Sequence, residues 1–296
     1  MSQVYEFIAG SAQEYTVLEL CQVMGVNRSC YYEWLGGKSH QIRGQKAKIG
    51  KKVKEVFEEH LRRYGSRRIE AEQKEQGIQA GRHQIRSRMQ QQGLKAIQPR
   101  SFVPKTTQTN PNLQRSPNLL LDLGPVERIN TVWAGDITYL PMADGTFAYL
   151  ATWEDLCSRT LVGWDLSQSL DADIVIKSFE KACLRRQPEP GLIVHSDGGG
   201  QYMDADFRAL LLKNKYRQSM TRPDNHYDKA FAESLFSRFT AELLQAGAFL
   251  DLDDAHTAIF EYIEIYYNRQ RRHSGLHYKS PEIFEKELLK KASNSK

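Results

Sequence analysis

Asp136, Asp197 and Glu233 are the residues of this 296-residue chain whose types and surroundings best suit chemistry. Asp136 lies in a β-branched, aromatic run (TVWAGDITYL, residues 131–140), where a charge is costly unless it is paired or bound to a metal. Asp197 follows the short apolar run 192–195 and precedes Gly198, Gly199 and Gly200, at the carboxyl end of a strand, where open α/β sheets place their ligands. The three glycines leave room for another backbone to come close, but no GK[ST] follows to make a Walker loop. Glu233 sits near the start of AFAESLFSRFTAELL, beside the packed side made by Phe231, Leu235, Phe236, Phe239 and Leu243. Singly, each carboxylate reads as a cap, a turn or a surface ion pair. Together they would repel one another and carry raised pKa values. One or two hard divalent cations with oxygen ligands, Mg²⁺ or Mn²⁺, resolve that conflict. Two such ions about 4 Å apart clamp the attacking and leaving oxygens of a phosphoryl displacement, so the implied chemistry is that of a phosphodiester.

The elements that must position these residues follow from periodicity. Residues 131–140, 147–153 and 160–166 predict three strands in hairpin order, with Asp144-Gly145 as one turn. Residues 171–186 and 204–213 predict helices alternating with short strands at 192–195 and 216–219. The fold class is therefore α/β with a mixed sheet. Upstream, residues 15–35 outline a helix-turn-helix broken at Gly25 and capped at Asn27 or Ser29. A second set of helices is predicted over 49–60, 67–76 and 82–92. Tyr15, Tyr31, Tyr32 and Trp34 read as core side chains of the first pair. The expected organisation is a helix-turn-helix segment (1–40), a second basic helix-turn-helix domain (41–97), a Pro/Asn/Thr/Ser-rich linker (98–118), a catalytic core (119–250) and a helical, basic carboxyl-terminal segment (251–296).

Charge divides along the same line. Residues 1–115 hold 20 Lys and Arg against 10 Glu and no Asp, whereas residues 116–296 hold 21 against 26. A basic front end suits a polyanion, and nucleic acid leads because phosphate contacts dominate non-specific affinity. Arg67, Arg68, Arg82, Arg86 and Arg88 are candidate DNA contacts in the front half. Arg271 and Arg272 are candidates in a basic segment that also holds Arg269, His273, His277 and Lys279. The four cysteines form no CxxC pair, which argues against a disulfide framework or a four-ligand zinc site. No run approaches the roughly 18 apolar residues of a membrane span and no signal peptide is readable, so a cytoplasmic chain without membrane contact is expected.

WAGDITYL, HSDGGGQY and DKAFAESLFSRFTAEL, with 35 residues between Asp197 and Glu233, resemble the DDE catalytic core of retroviral-integrase-like transposases. More narrowly, the chain is similar to the OrfB product of the insertion-sequence-three family. YLATWEDLCSRTLVGWDLS around Asp155 and Arg159 matches that family's second and third strands, RRYGSRRIEAE its upstream helix-turn-helix and YNRQRRHSGLHYKSPEIFE its closing segment. The resemblance runs from about residue 45 to residue 285. It implies an RNase H-like core preceded by all-α helix-turn-helix DNA-binding segments, Mg²⁺-dependent cleavage at insertion-sequence ends and transfer of the freed 3′-OH to new DNA. It carries the ligands of one or two ions to Asp136, Asp197 and Glu233. The implied partners are double-stranded DNA at the ends and at the target, further copies of the chain assembled on that DNA, and an upstream OrfA as fusion or partner. The implied location is a bacterial cytoplasm, on the nucleoid when DNA-bound.

Two departures from the family pattern matter. Asp224, His226 and Lys229 stand where the family often has Gly, Cys and Asn, and Thr240 stands where it usually has a DNA-contacting Lys. Lys229, one turn before Glu233 if the helix starts early, is the expected substitute contact. His195 and Tyr202 read as structural, hydrogen-bonded or packed residues. The competing readings are a non-catalytic helix-turn-helix regulator, an RNase H-like nuclease that hydrolyses without joining, and a tyrosine recombinase using Arg271, His273 and Tyr278.

Overall fold

Capping residues set the helices of the amino-terminal half. The computed structural model describes residues 2–98, 115–121, 123–222 and 238–294, with 38–43 and 246 described by their backbone alone. Helix α1 (Ser2–Ser11), which sequence periodicity left unassigned, precedes α2 (Val17–Val23) and α3 (Arg28–Leu35). Thr16 and Glu19 close a capping box on α2. Gly25 turns the chain at φ +64°, and Asn27 caps α3 by accepting from the Ser29 N–H at 2.8 Å. Ile8, Leu20, Cys21 and Tyr31 bury one small core. Tyr15 and Tyr32, expected inside, are exposed at 59% and 52%, whereas Tyr31 is buried in this core and Trp34 packs against it. Helices α4 (Lys38–Glu59), α5 (Ser66–Glu75) and α6 (Arg82–Gln91) bury a second stripe made by Val53, Val56, Phe57, Tyr64, Ile69, Ile85 and Met89.

The second half is built on a five-stranded sheet in the order β3-β2-β1-β4-β5. Strand β1 (Val132–Pro141) pairs antiparallel with β2 (Phe147–Asp155), and β2 pairs antiparallel with β3 (Leu161–Ser167). Strands β4 (Ile193–Ser196) and β5 (Arg217–Met220) run parallel to β1. Helices α7 (Ala172–Arg186) and α8 (Ala205–Lys213) cover one face, burying Trp133, Trp153, Val162, Phe179, Val194, Phe207 and Met220. Two glycines permit close packing there. The Trp153 ring lies where a Gly135 side chain would be, and α7 approaches Gly163 at Ser178 and Ala182. The opposite face carries Val132, Ala134, Leu156 and Ile193 under Leu119, Leu120 and Val126. Three antiparallel strands followed by two parallel ones, with flanking helices, form an RNase H-like sheet.

The chain divides into two compact units, Met1–Ala96 and Ile97–Lys296. Residues 251–296, set apart in the sequence reading, belong to the second unit and are fastened to its sheet. The Glu285 carboxylate receives two bonds from Arg186 at 2.7 and 2.8 Å and one each from Ser158 at 2.6 Å and Thr160 at 2.8 Å. The Asn268 side chain completes the first rung of β3, accepting from the Leu161 N–H at 2.9 Å and donating to its carbonyl at 3.0 Å. At the other margin, the Leu119 N–H donates to Ser219 Oγ at 2.9 Å and the Met220 N–H to the Pro117 carbonyl at 3.3 Å. Between residues 251 and 281 the helix Leu252–Phe260 runs into a π-helical stretch, Glu261–Tyr267, that buries Tyr262, Tyr266 and Tyr267. Sequence periodicity at 3.6 residues cannot foresee such a stretch.

Candidate active site

The register of β1 and β4 decides how two of the three acidic residues meet. Val132, Trp133 and Ala134 pair in parallel with Ile193, Val194 and His195. The same offset carried two residues further matches Asp136 with Asp197, the first residue beyond β4. Asp136 is half-buried in the middle of β1, opposite Thr152 of β2. Asp197 begins the turn after β4, where its Oδ1 accepts from the Gly199 N–H at 2.9 Å and its carbonyl accepts from Ser196 Oγ at 3.0 Å. Burial drives the Tyr202 phenol well above its ordinary pKa, and Asp136 and Asp197 both push it further the same way. Both carboxylates therefore act on one buried hydroxyl. Tyr202 itself packs edge-on against Trp153, as a structural residue does.

Paired carboxylates supply oxygen donors that suit Mg²⁺ or Mn²⁺. Glu233 and Lys229 lie outside the described residues, and among the described residues no cluster of three His, Cys, Asp or Glu could hold a metal. The helical residues that follow include Thr240, half-buried where a long cationic side chain is usual in the resembled family. His195 is buried, with Nδ1 2.9 Å from Ser219 Oγ, so its ring is held by β5. One residue beside Asp197 escaped the sequence reading. The Gly198 position opens onto the guanidinium of Arg115, whose two terminal nitrogens lie 2.6 Å from where a Cβ would stand. The glycines admit a side chain here, and nothing in the sequence links residue 115 to residue 198.

The basic candidates divide into presented and engaged side chains. Arg67, Arg82 and Arg86 are exposed on α5 and α6. Arg88 is half-buried and lines a groove between α4 and α6 with Lys46, Lys51, Gln91 and Gln92. Arg68 turns inward, donating to the Arg63 carbonyl at 3.1 Å and lying over the Tyr64 ring. Arg272 is half-buried and donates to the Tyr278 carbonyl at 2.9 Å. Arg271 corrects the surface role expected of it. It is 3% exposed and forks onto Glu242 with two bonds of 2.7 Å, its guanidinium over the Tyr267 ring. The same Glu242 accepts from the Tyr262 hydroxyl at 2.9 Å. Lys279 pairs with Glu287 and Arg269 with Glu282, so much of this segment's positive charge is matched within it.

Near Arg271 lies a buried acid the sequence reading passed over. Glu154, opposite Ala134, is 2% exposed, with Arg159 3.6 Å away. Burial pushes its carboxyl up to about 7, against the opposing pull of Arg159 and Arg271. Below the ordinary carboxylate range Glu154 is protonated whether the chain is folded or not, and its contribution is fully present. As pH rises towards 7 the unfolded chain releases this proton while the folded chain holds it, so stability falls. Within that window the loss approaches about 1.4 kcal/mol per pH unit. Denaturant titrations between pH 5 and 7 should show this slope in the wild type and a flatter one in Glu154→Gln. Parallel curves would overturn the assignment.

Comparison with known proteins agrees with this architecture. Residues 126–226 and 214–281 match two integrase core domain families, and residues 45–102 match an HTH-like domain. The chain is 39% identical over 238 residues to the transposase for insertion sequence element IS904 of Lactococcus lactis, covering 80% of this chain and 93% of that one. It is 34% identical over 287 residues to transposase InsF for insertion sequence IS3A of Escherichia coli, covering 96% and 99%. Among solved structures, the HTLV-2 integrase catalytic core domain in complex with magnesium aligns with a TM-score of 0.39 at 16% identity, covering 52% of this chain and 95% of that one.

Proposed function

Because this chain belongs to the transposases of IS3-type insertion elements, we propose that it cuts DNA at the ends of such an element and joins the freed 3′-OH to target DNA. Asp136, Asp197 and Glu233 are the proposed ligands of two Mg²⁺ ions. Bound there, the ions supply positive charge at the attacking and leaving oxygens of the phosphodiester. The remaining work falls to the protein. The β1–β4 pairing brings the strand of Asp136 alongside the one that ends just before Asp197, and the Gly199 N–H holds the Asp197 carboxylate in its turn. A water and then a DNA 3′-OH act as nucleophiles, with no covalent protein–DNA link. Arg67, Arg82, Arg86 and Arg88 of the helix-turn-helix unit, with Arg272 and Lys229, are the proposed phosphate contacts. Assembly of several copies on DNA, an OrfA partner and a place on the bacterial nucleoid complete the reading.

The observation that supports it most directly is the parallel register that matches the two aspartates beside a phenol both act on. The test is an oligonucleotide duplex carrying the element's terminal repeat, incubated with the protein, Mg²⁺ and a second duplex. Joined products are expected, and none with EDTA. Hydrolysis without joining would reduce the protein to a nuclease. DNA binding with no cleavage would leave a regulator.

A further inference from the structure

We propose that Arg115 is a phosphate-contacting residue of the active site, receiving a backbone phosphate of the DNA strand that enters beside Asp197. The inference rests on the proposed function and adds a residue to it. Residues 115–120 form a strap tied to β5 at the margin of the sheet. Ser116 Oγ donates to Gln218 Oε1 at 2.7 Å, the Leu119 N–H donates to Ser219 Oγ, and the Pro117 carbonyl accepts from Met220. These bonds fix where the strap begins, and its first described side chain lies across Gly198. Arg115 Cζ, Nη1 and Nη2 are the three atoms nearest the missing Cβ, so the end of the guanidinium covers the glycine. Any larger residue at 198 would occupy its place.

The consequence is chemical. Arg115 is half-buried, its guanidinium lies over the residue next to Asp197, and among the described residues no carboxylate pairs with it. With one face on the backbone, its edge N–H groups form a planar fork, which suits a phosphate bidentately. A site built of carboxylates repels polyanionic DNA, and a fixed cation at its rim offsets that repulsion for a strand lying in one particular path.

Gly198→Ala makes the test selective. The atoms in the way are the far end of a flexible side chain, and Gly198 does not adopt positive φ, so the substitution should displace the guanidinium without unfolding the protein. In the full chain, Arg115→Ala should lower Mg²⁺-dependent end cleavage at least tenfold. It should also reduce the slope of log end affinity against log salt by about one. Arg115→Lys should restore most of that slope. Gly198→Ala should reproduce the Arg115→Ala effects and add nothing in its background. Unchanged salt slope in Arg115→Ala, or fully additive losses in the double variant, would overturn the proposal. A strap that serves only stability would lower the melting temperature and leave the slope intact, which also overturns it. If the wild type binds terminal-repeat DNA but does not cleave it, the proposed function fails, while the salt slope still decides for or against Arg115.

Discussion

Asp136→Asn and Asp197→Asn should each slow DNA end cleavage about a thousandfold or more while leaving end binding within about threefold of wild type. The amide keeps the size and one acceptor of the carboxylate, so the side chain that replaces Asp197 can still receive the Gly199 N–H that shapes the turn. What it loses is the negative charge that would hold a hard cation. The double variant should be little worse than either single one, because ligands of a shared centre act as a unit. Single-turnover cleavage of a labelled terminal-repeat duplex, alongside a binding isotherm, separates the two quantities. Near-normal cleavage by either variant would remove that aspartate from the metal-binding role. Loss of binding in parallel with cleavage would point instead to damaged folding.

The second large effect concerns stability. Arg271→Ala leaves Glu242 buried without its fork, and one broken partner of such a pair typically costs about 3–5 kcal/mol. Glu242→Ala should cost a similar amount, since it strands the guanidinium over the Tyr267 ring. Replacing both with apolar residues of similar volume, Glu242→Leu with Arg271→Met, should recover most of the loss, because neither charge is then left unpaired. Denaturant unfolding of the four proteins measures this. If Arg271→Ala costs under about 1 kcal/mol, the side chain is not the buried partner described above.

Neighbouring arginines show where the sequence stopped being legible. Arg271 and Arg272 are alike on paper, yet one is buried on an acid 29 residues upstream and the other is half-exposed. Periodicity carries no information about such a distant partner. It did carry the strands and helices, because alternation and 3.6-residue spacing are local properties, and it put Asp136 inside β1 and Asp197 just beyond β4. The matching of those two residues depends on strand register, which is set by packing across the sheet. Arg115 was invisible for the same reason, since a linker residue acquires meaning only where the strap touches down. The π-helical tyrosines broke the assumed period itself, and Glu154 reads as an ordinary strand acid until the fold buries it beside Arg159.

The two margins of the sheet have a bearing on how copies of this chain can meet. Exposed strand edges invite another polypeptide to continue the ladder. Here the outermost rung of β3 is occupied by the Asn268 amide, and the Met220 N–H of β5 is occupied by the Pro117 carbonyl. At those rungs the backbone already has its own company, so association of protomers there cannot proceed by strand exchange. The proposed assembly of several protomers on one DNA molecule then uses contacts away from these rungs.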